Sequence, residues 1–137
     1  MKRYFWLLGL LVCQSLAFAQ EATVPAPLNE SPIGYATVQE AYEALAADPS
    51  ATQSEHEGWT SFNQKVDGTY IIWSFTSEDH PVHPTAVRRV IVSKNGEVSI
   101  SMAMLCHSSR FDCDQLIEQF QLMNENLKRR LAGTAGS

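Results

Sequence analysis

The chain has 137 residues, 45% of them hydrophobic, with 15 acidic side chains against 10 basic ones and a net charge of −5. That length suits one domain with one modest core. The acidic balance repels phosphate backbones, and the lone basic cluster, Lys128-Arg129-Arg130, closes a predicted helix, so nucleic acid is not an expected partner.

Met1-Lys2-Arg3 is a short basic head, followed by an apolar run and the small-x-small triplet Ala17-Phe18-Ala19. This is the pattern of a secretory signal peptide over residues 1–19, cleaved after Ala19. A membrane-spanning helix needs about 20 apolar residues, more than the run supplies, so no membrane span is expected after cleavage. Lipid attachment at Cys13 is disfavoured because Val12, not a small residue, precedes it. Cleavage removes Lys2 and Arg3 but no acid, which takes the charge from −5 to −7. It also removes Cys13, leaving the pair Cys106 and Cys113 in a compartment where disulfides persist.

Residues 20–32 read as a flexible tether, because Pro25, Pro27 and Pro32 forbid a regular helix. Thr37 and Glu40 then form a capping box, and Val38, Ala41, Tyr42 and Leu45 recur at helical spacing until Asp48-Pro49 ends the helix. A short strand is expected over 58–63, extending back toward Thr52. Asp67-Gly68 marks a turn before the strongest strand, Thr69 to Thr76. In that strand Ile71, Trp73 and Phe75 alternate with Tyr70, Ile72 and Ser74.

His80-Pro81-Val82-His83-Pro84 comes next. In a polyproline II conformation, with three residues per turn, His80 and His83 project from one side and two imidazoles converge. Zinc or copper is the cofactor that arrangement implies, although zinc normally takes three or four protein ligands. Cys106 and His107 are further ligands by type, but Cys106 is expected in a disulfide and His107 at the far end of another strand. Arg88 and Arg89 are strand neighbours and so face opposite sides. One of them is expected against the helix-covered face with a carboxylate partner, Glu40, Glu78 or Asp79 by type, or else receiving an anionic ligand.

Ala86 to Lys94 and Glu97 to Leu105 form a second hairpin across Asn95-Gly96, a dipeptide suited to a two-residue turn. Asp112 and Gln115 are read as the cap of a final helix with an apolar stripe of Cys113, Leu116, Ile117, Phe120, Met123, Leu127 and Leu131. A Cys106–Cys113 disulfide would pin that helix to the last strand, at about 2–3 kcal/mol for so short a loop. Residues 132–137 are expected to be a disordered tail.

These elements predict an α+β domain over 33–131. Its order is α-β-β-β-β-α, a four-stranded antiparallel sheet with both helices on one face. The open face would then present the aromatics that alternation leaves uncovered for recognition, with Trp73 on one face of the strand and Tyr70 on the other as the candidates. No G-x-S-x-G elbow, H-E-x-x-H helix, phosphate loop or dinucleotide fingerprint occurs in the chain.

Trp73-Ser74-Phe75-Thr76, His80-Pro81-Val82-His83-Pro84, Arg88-Arg89 and the late cysteine pair together resemble small exported proteins of Gram-negative bacteria. The resemblance implies a periplasmic location and a single domain, and it carries over no site. The expected function is a non-enzymatic module that binds a protein or peptide through the open sheet face and the His-Pro loop, in an accessory, inhibitor or immunity-like role. Metal binding by His80 and His83 is the alternative.

Overall fold

The structure, a computed structural model, describes residues 31–134. The leader and nearly all of the tether lie outside the described residues. Seven elements follow in order: α1 (Val38–Ala46), β1 (Thr52–His56), β2 (Trp59–Val66), β3 (Thr69–Thr76), β4 (Thr85–Lys94), β5 (Glu97–Cys106) and α2 (Arg110–Thr134). The strands form an antiparallel meander in the order β1-β2-β3-β4-β5.

The α+β class, the antiparallel sheet and two flanking helices are as the sequence predicts, but the sheet has five strands rather than four. The extra strand arises at Glu57-Gly58, where φ values of 48° and 79° reverse the chain. Asp67-Gly68 and Asn95-Gly96 show the same positive-φ pair. Three of the four strand connections therefore use two-residue turns whose twist matches the strands, and the fourth, between β3 and β4, is the longer segment 77–84.

The helices do not share a face. Ile33 and the α1 residues Val38, Ala41 and Leu45 pack on Phe62, Trp73, Phe75 and Ala86. Leu116 and Phe120 of α2 pack with Val82 on Val87, Trp59, Met102 and Met104. Because Ala86 and Val87 are consecutive strand residues, these two clusters lie on opposite sides of the sheet. The physical reason is that β3 and β4 carry apolar residues on both faces, so one covered face would leave the other cluster wet.

Aromatic rings organise the α1 side. Tyr42 stands edge-on to Phe62 and Phe75 at 5.4 and 5.3 Å, and Tyr35 meets Trp73 at 5.7 Å. Truncating a buried ring such as Phe62 typically costs about 3–5 kcal/mol.

Both helix starts are capped. The Thr37 hydroxyl accepts the Glu40 amide at 3.1 Å, and the Glu40 carboxylate reaches back to the Ala36 amide at 3.2 Å. In α2 the cap is Ser109 rather than Asp112: its hydroxyl accepts the Asp112 amide at 3.1 Å and donates to the Asp112 carboxylate at 2.6 Å. The helix also runs to Thr134, so residues 132–134, expected in the tail, are its last turn. Asn124 takes a core position while Met123 is 44% exposed. Cys106 and Cys113 form a disulfide with their Cα atoms 6.0 Å apart, tying the end of β5 to the first turn of α2. Among the described residues no helix is long and apolar enough to cross a membrane.

Candidate functional site

β3 and β5 run in the same direction, so their C-terminal ends lie together, beside the loop that joins β3 to β4. The first turn of α1 arrives at the same end. Between them is a cleft of about 640 Å³, within the usual range for ligand pockets of roughly 300–1,000 Å³. Tyr42, Phe75 and Pro84 line its apolar part, and Thr37, Thr60, Ser77, Glu78, His83 and His107 supply polar groups.

His83 is held in a defined orientation. Its Nδ1 lies 3.1 Å from the Thr76 carbonyl and 3.2 Å from the Thr76 hydroxyl. That hydroxyl donates to the Thr85 carbonyl at 3.4 Å and accepts the Thr85 amide at 2.9 Å, so toward His83 it can only accept. The Thr76 carbonyl can only accept, so Nδ1 is the donor to it, and Nε2 is the ring nitrogen that makes no hydrogen bond among the described residues. The Thr85 hydroxyl donates to the Val82 carbonyl at 2.5 Å and fixes the loop from below.

His80 does not join His83. The His80 amide donates to Ser77 O at 3.0 Å and the His83 amide to His80 O at 2.9 Å. The segment is thus a pair of turns rather than polyproline II, which has no internal hydrogen bonds. The His80 ring stands edge-on to Trp59 at 4.9 Å, on the α2 side, and its Nδ1 accepts the Val82 amide at 3.3 Å. His83 instead lines the cleft with α1 residues. Among the described residues no three His, Cys, Asp or Glu side chains gather as metal ligands.

Arg88 and Arg89 face opposite sides, as alternation requires, but both meet aromatic rings rather than carboxylates. Arg88 lies 5.6 Å from the Trp73 ring centre and Arg89 5.2 Å from that of Phe120. Glu40 is used at its cap, and neither Glu78 nor Asp79 pairs with an arginine among the described residues. Each arginine Nε is buried without a hydrogen-bond partner there, and so is Asn124 Oδ1. Burial pushes the Arg89 pKa down, since a low-dielectric surrounding disfavours the charged form.

Trp73 and Tyr70 do not form a shared recognition surface. Trp73 is 5% exposed and donates its indole N–H to Gln64 Oε1 at 3.2 Å. Tyr70, half exposed, sits at the other end of β3 with the Lys65 ammonium 5.8 Å from its ring centre. It borders a smaller hollow of about 310 Å³ with Leu127 and Leu131 of α2.

Sequence reasoning gave Tyr42 and Thr76 no functional role, and it set His107 at the far end of another strand, whereas the structure brings it beside the His-Pro loop, its amide donating to the Pro84 carbonyl at 3.2 Å. The parallel sense of β3 and β5 is the signal that would have placed His107 near the His-Pro loop. No protein-family model, curated protein or solved structure matches the chain.

Proposed function

We propose that the chain is an exported, non-enzymatic binding module that takes a segment of a protein or peptide partner into the cleft beside the His-Pro loop. The carrying observation is the cleft itself, lined by the apolar rings of Tyr42 and Phe75 together with a His83 ring whose orientation is fixed through Nδ1. A ligand site of this kind combines buried apolar area with a few oriented polar groups. The disulfide fits an oxidising compartment outside the cytoplasm. A signal peptide and the resemblance to small Gram-negative exported proteins narrow that to the periplasm, where an accessory, inhibitor or immunity-like role suits a module of this size.

The test is a displayed peptide library selected on the exported chain, with amide chemical shifts followed by NMR. Selected peptides should perturb Thr37, Ser77, Glu78 and His107, and His83→Ala or Tyr42→Ala should weaken them by roughly tenfold or more, in line with loss of a central interface residue. Perturbations confined to the other end of the sheet would overturn the proposal. A second reading, metal binding at the loop, rests on the free Nε2 of His83. Zinc or copper titration should then give heat that His83→Ala abolishes and His80→Ala does not.

A further inference from the structure

The ladder between β4 and β5 fixes which groups of β5 point away from the sheet. The His107 amide donates to the Pro84 carbonyl at 3.2 Å, one step beyond the Thr85–Cys106 pairing. Hydrogen-bonded and non-hydrogen-bonded partners alternate in an antiparallel pair, so Glu97, Ser99, Ser101, Ala103 and Leu105 bond to β4. The amides and carbonyls of Val98, Ile100, Met102, Met104 and Cys106 therefore face outward along the edge. Among the described residues no strand pairs with that edge.

Natural sheets blunt such edges with lysine, proline, bulges or short strands. β5 has none of these. It runs ten residues, pairs with β4 without a skipped partner, and carries Glu97 as its single charge.

We propose that a second copy of this chain pairs along this edge, β5 against β5, antiparallel about a two-fold axis at Met102. The strand is self-complementary in that register. On the α2 face Met102 meets its own copy, Ile100 meets Met104, and Val98 meets Cys106. On the α1 face Ser101 meets Ala103, Ser99 meets Leu105, and Glu97 meets His107 at both ends of the seam. The outward residues fall opposite one another as hydrogen-bonded pairs. Glu97 and His107 form a non-hydrogen-bonded pair, in which side chains approach more closely. No like charges meet on the strand, and a closed two-fold contact leaves no further free β5 edge.

Sedimentation equilibrium of the exported chain, from micromolar to millimolar concentration, should show the mass rising toward twice that of one chain. Ser101→Lys, an exposed position near the axis, should raise the dissociation constant roughly tenfold or more through like-charge approach. The matching change Ser54→Lys at the other edge should leave it unaltered. Hydrogen exchange needs no substitution: the amides of Val98, Ile100, Met102 and Met104 should become protected as concentration rises. A chain that stays monomeric throughout overturns the proposal. So does a dimer indifferent to Ser101→Lys, one equally weakened by Ser54→Lys, or one in which those four amides still exchange freely. Protection that appears only when an unrelated polypeptide is added would replace the second copy with that partner.

Discussion

At one edge of the sheet β1 offers five residues, all exposed, among them Glu55 and His56. At the other, β5 offers ten, with hydrophobic residues from Val98 to Met104 at alternate positions and one charge at its start. β1 is short and polar, and a neighbouring chain gains little by adding to it. β5 is held from below by α2 and at its end by the disulfide, so its backbone is presented in a fixed, extended form. Edges are usually defended. A sheet that defends one edge and leaves the longer one plain directs association to a single side, and the cleft opens at the His107 end of that same strand.

The strongest way to break this comparison is a proline in each edge strand at a position whose amide bonds inward. Ser101 pairs with Val90 of β4, and Ser54 pairs with Ser61 of β2. Ser101→Pro removes a ladder bond within the supported strand and should cost about 3 kcal/mol or more. Ser54→Pro should cost about 1 kcal/mol or less, because an exposed terminal strand opens locally without unfolding the rest. Urea denaturation followed by tryptophan fluorescence measures both, and equal losses would erase the distinction.

The next effect sharpens it from the helix side. Replacing Cys106 and Cys113 together by serine should lower stability by about 2–3 kcal/mol, the loop-closure value for so short a bridge. The loss should be read first as faster hydrogen exchange at Leu105 and in the first turn of α2, with β1 unchanged. Uniform acceleration across both edges would mean that the bridge supports the whole domain rather than β5.

Much of this architecture is legible in the residues, and the exceptions have physical causes. Asp67-Gly68 and Asn95-Gly96 announce their turns because aspartate and asparagine tolerate positive φ. Glu57 does not advertise the same conformation, so β1 merges with β2 on paper. The opposite placement of the helices was readable in principle from Ala86-Val87 and Val90-Ile91-Val92, adjacent apolar pairs that a one-sided sheet would not use. The cysteine pair declares itself by spacing. The site was harder, because side-chain direction in the His-Pro loop depends on two turns closed by the Ser77 and His80 carbonyls, and sequence spacing carries no trace of them. The arginines misled for a related reason: alternation predicts that they diverge, but not that Trp73 and Phe120 replace the expected carboxylates.

The smallest expected effect tests how β1 itself is held. One Asp48 carboxylate oxygen accepts the Ser50 amide and hydroxyl at 2.8 and 2.7 Å, and the other accepts from Gln64 at 2.6 Å. Gln64 in turn accepts the Trp73 indole N–H at 3.2 Å, so a chain of hydrogen bonds joins the buried ring to the loop before β1. The Ser50 hydroxyl, then its amide, holds the Asp48 carboxyl below its ordinary pKa. A depressed carboxylate pKa means that the folded chain binds this proton less readily than the unfolded one. Its stabilisation is therefore present above the ordinary carboxylate pKa of about 4 and is lost as pH falls through the lowered folded value. Thermal melts between about pH 5 and pH 2 should drop more steeply for the natural chain than for Asp48→Asn, by a small margin because the group keeps contact with solvent. Ser50→Ala should remove part of that difference. Parallel melting curves for the natural chain and Asp48→Asn would show that β1 owes its place to Ala51 and the core it touches, and that the polar chain from Trp73 adds nothing. Divergent curves, with exchange at Thr52 and Ser54 quickening in acid while the β4-bonded amides of β5 stay protected, would show that the defended edge hangs on one half-buried carboxylate and the plain edge on buried packing.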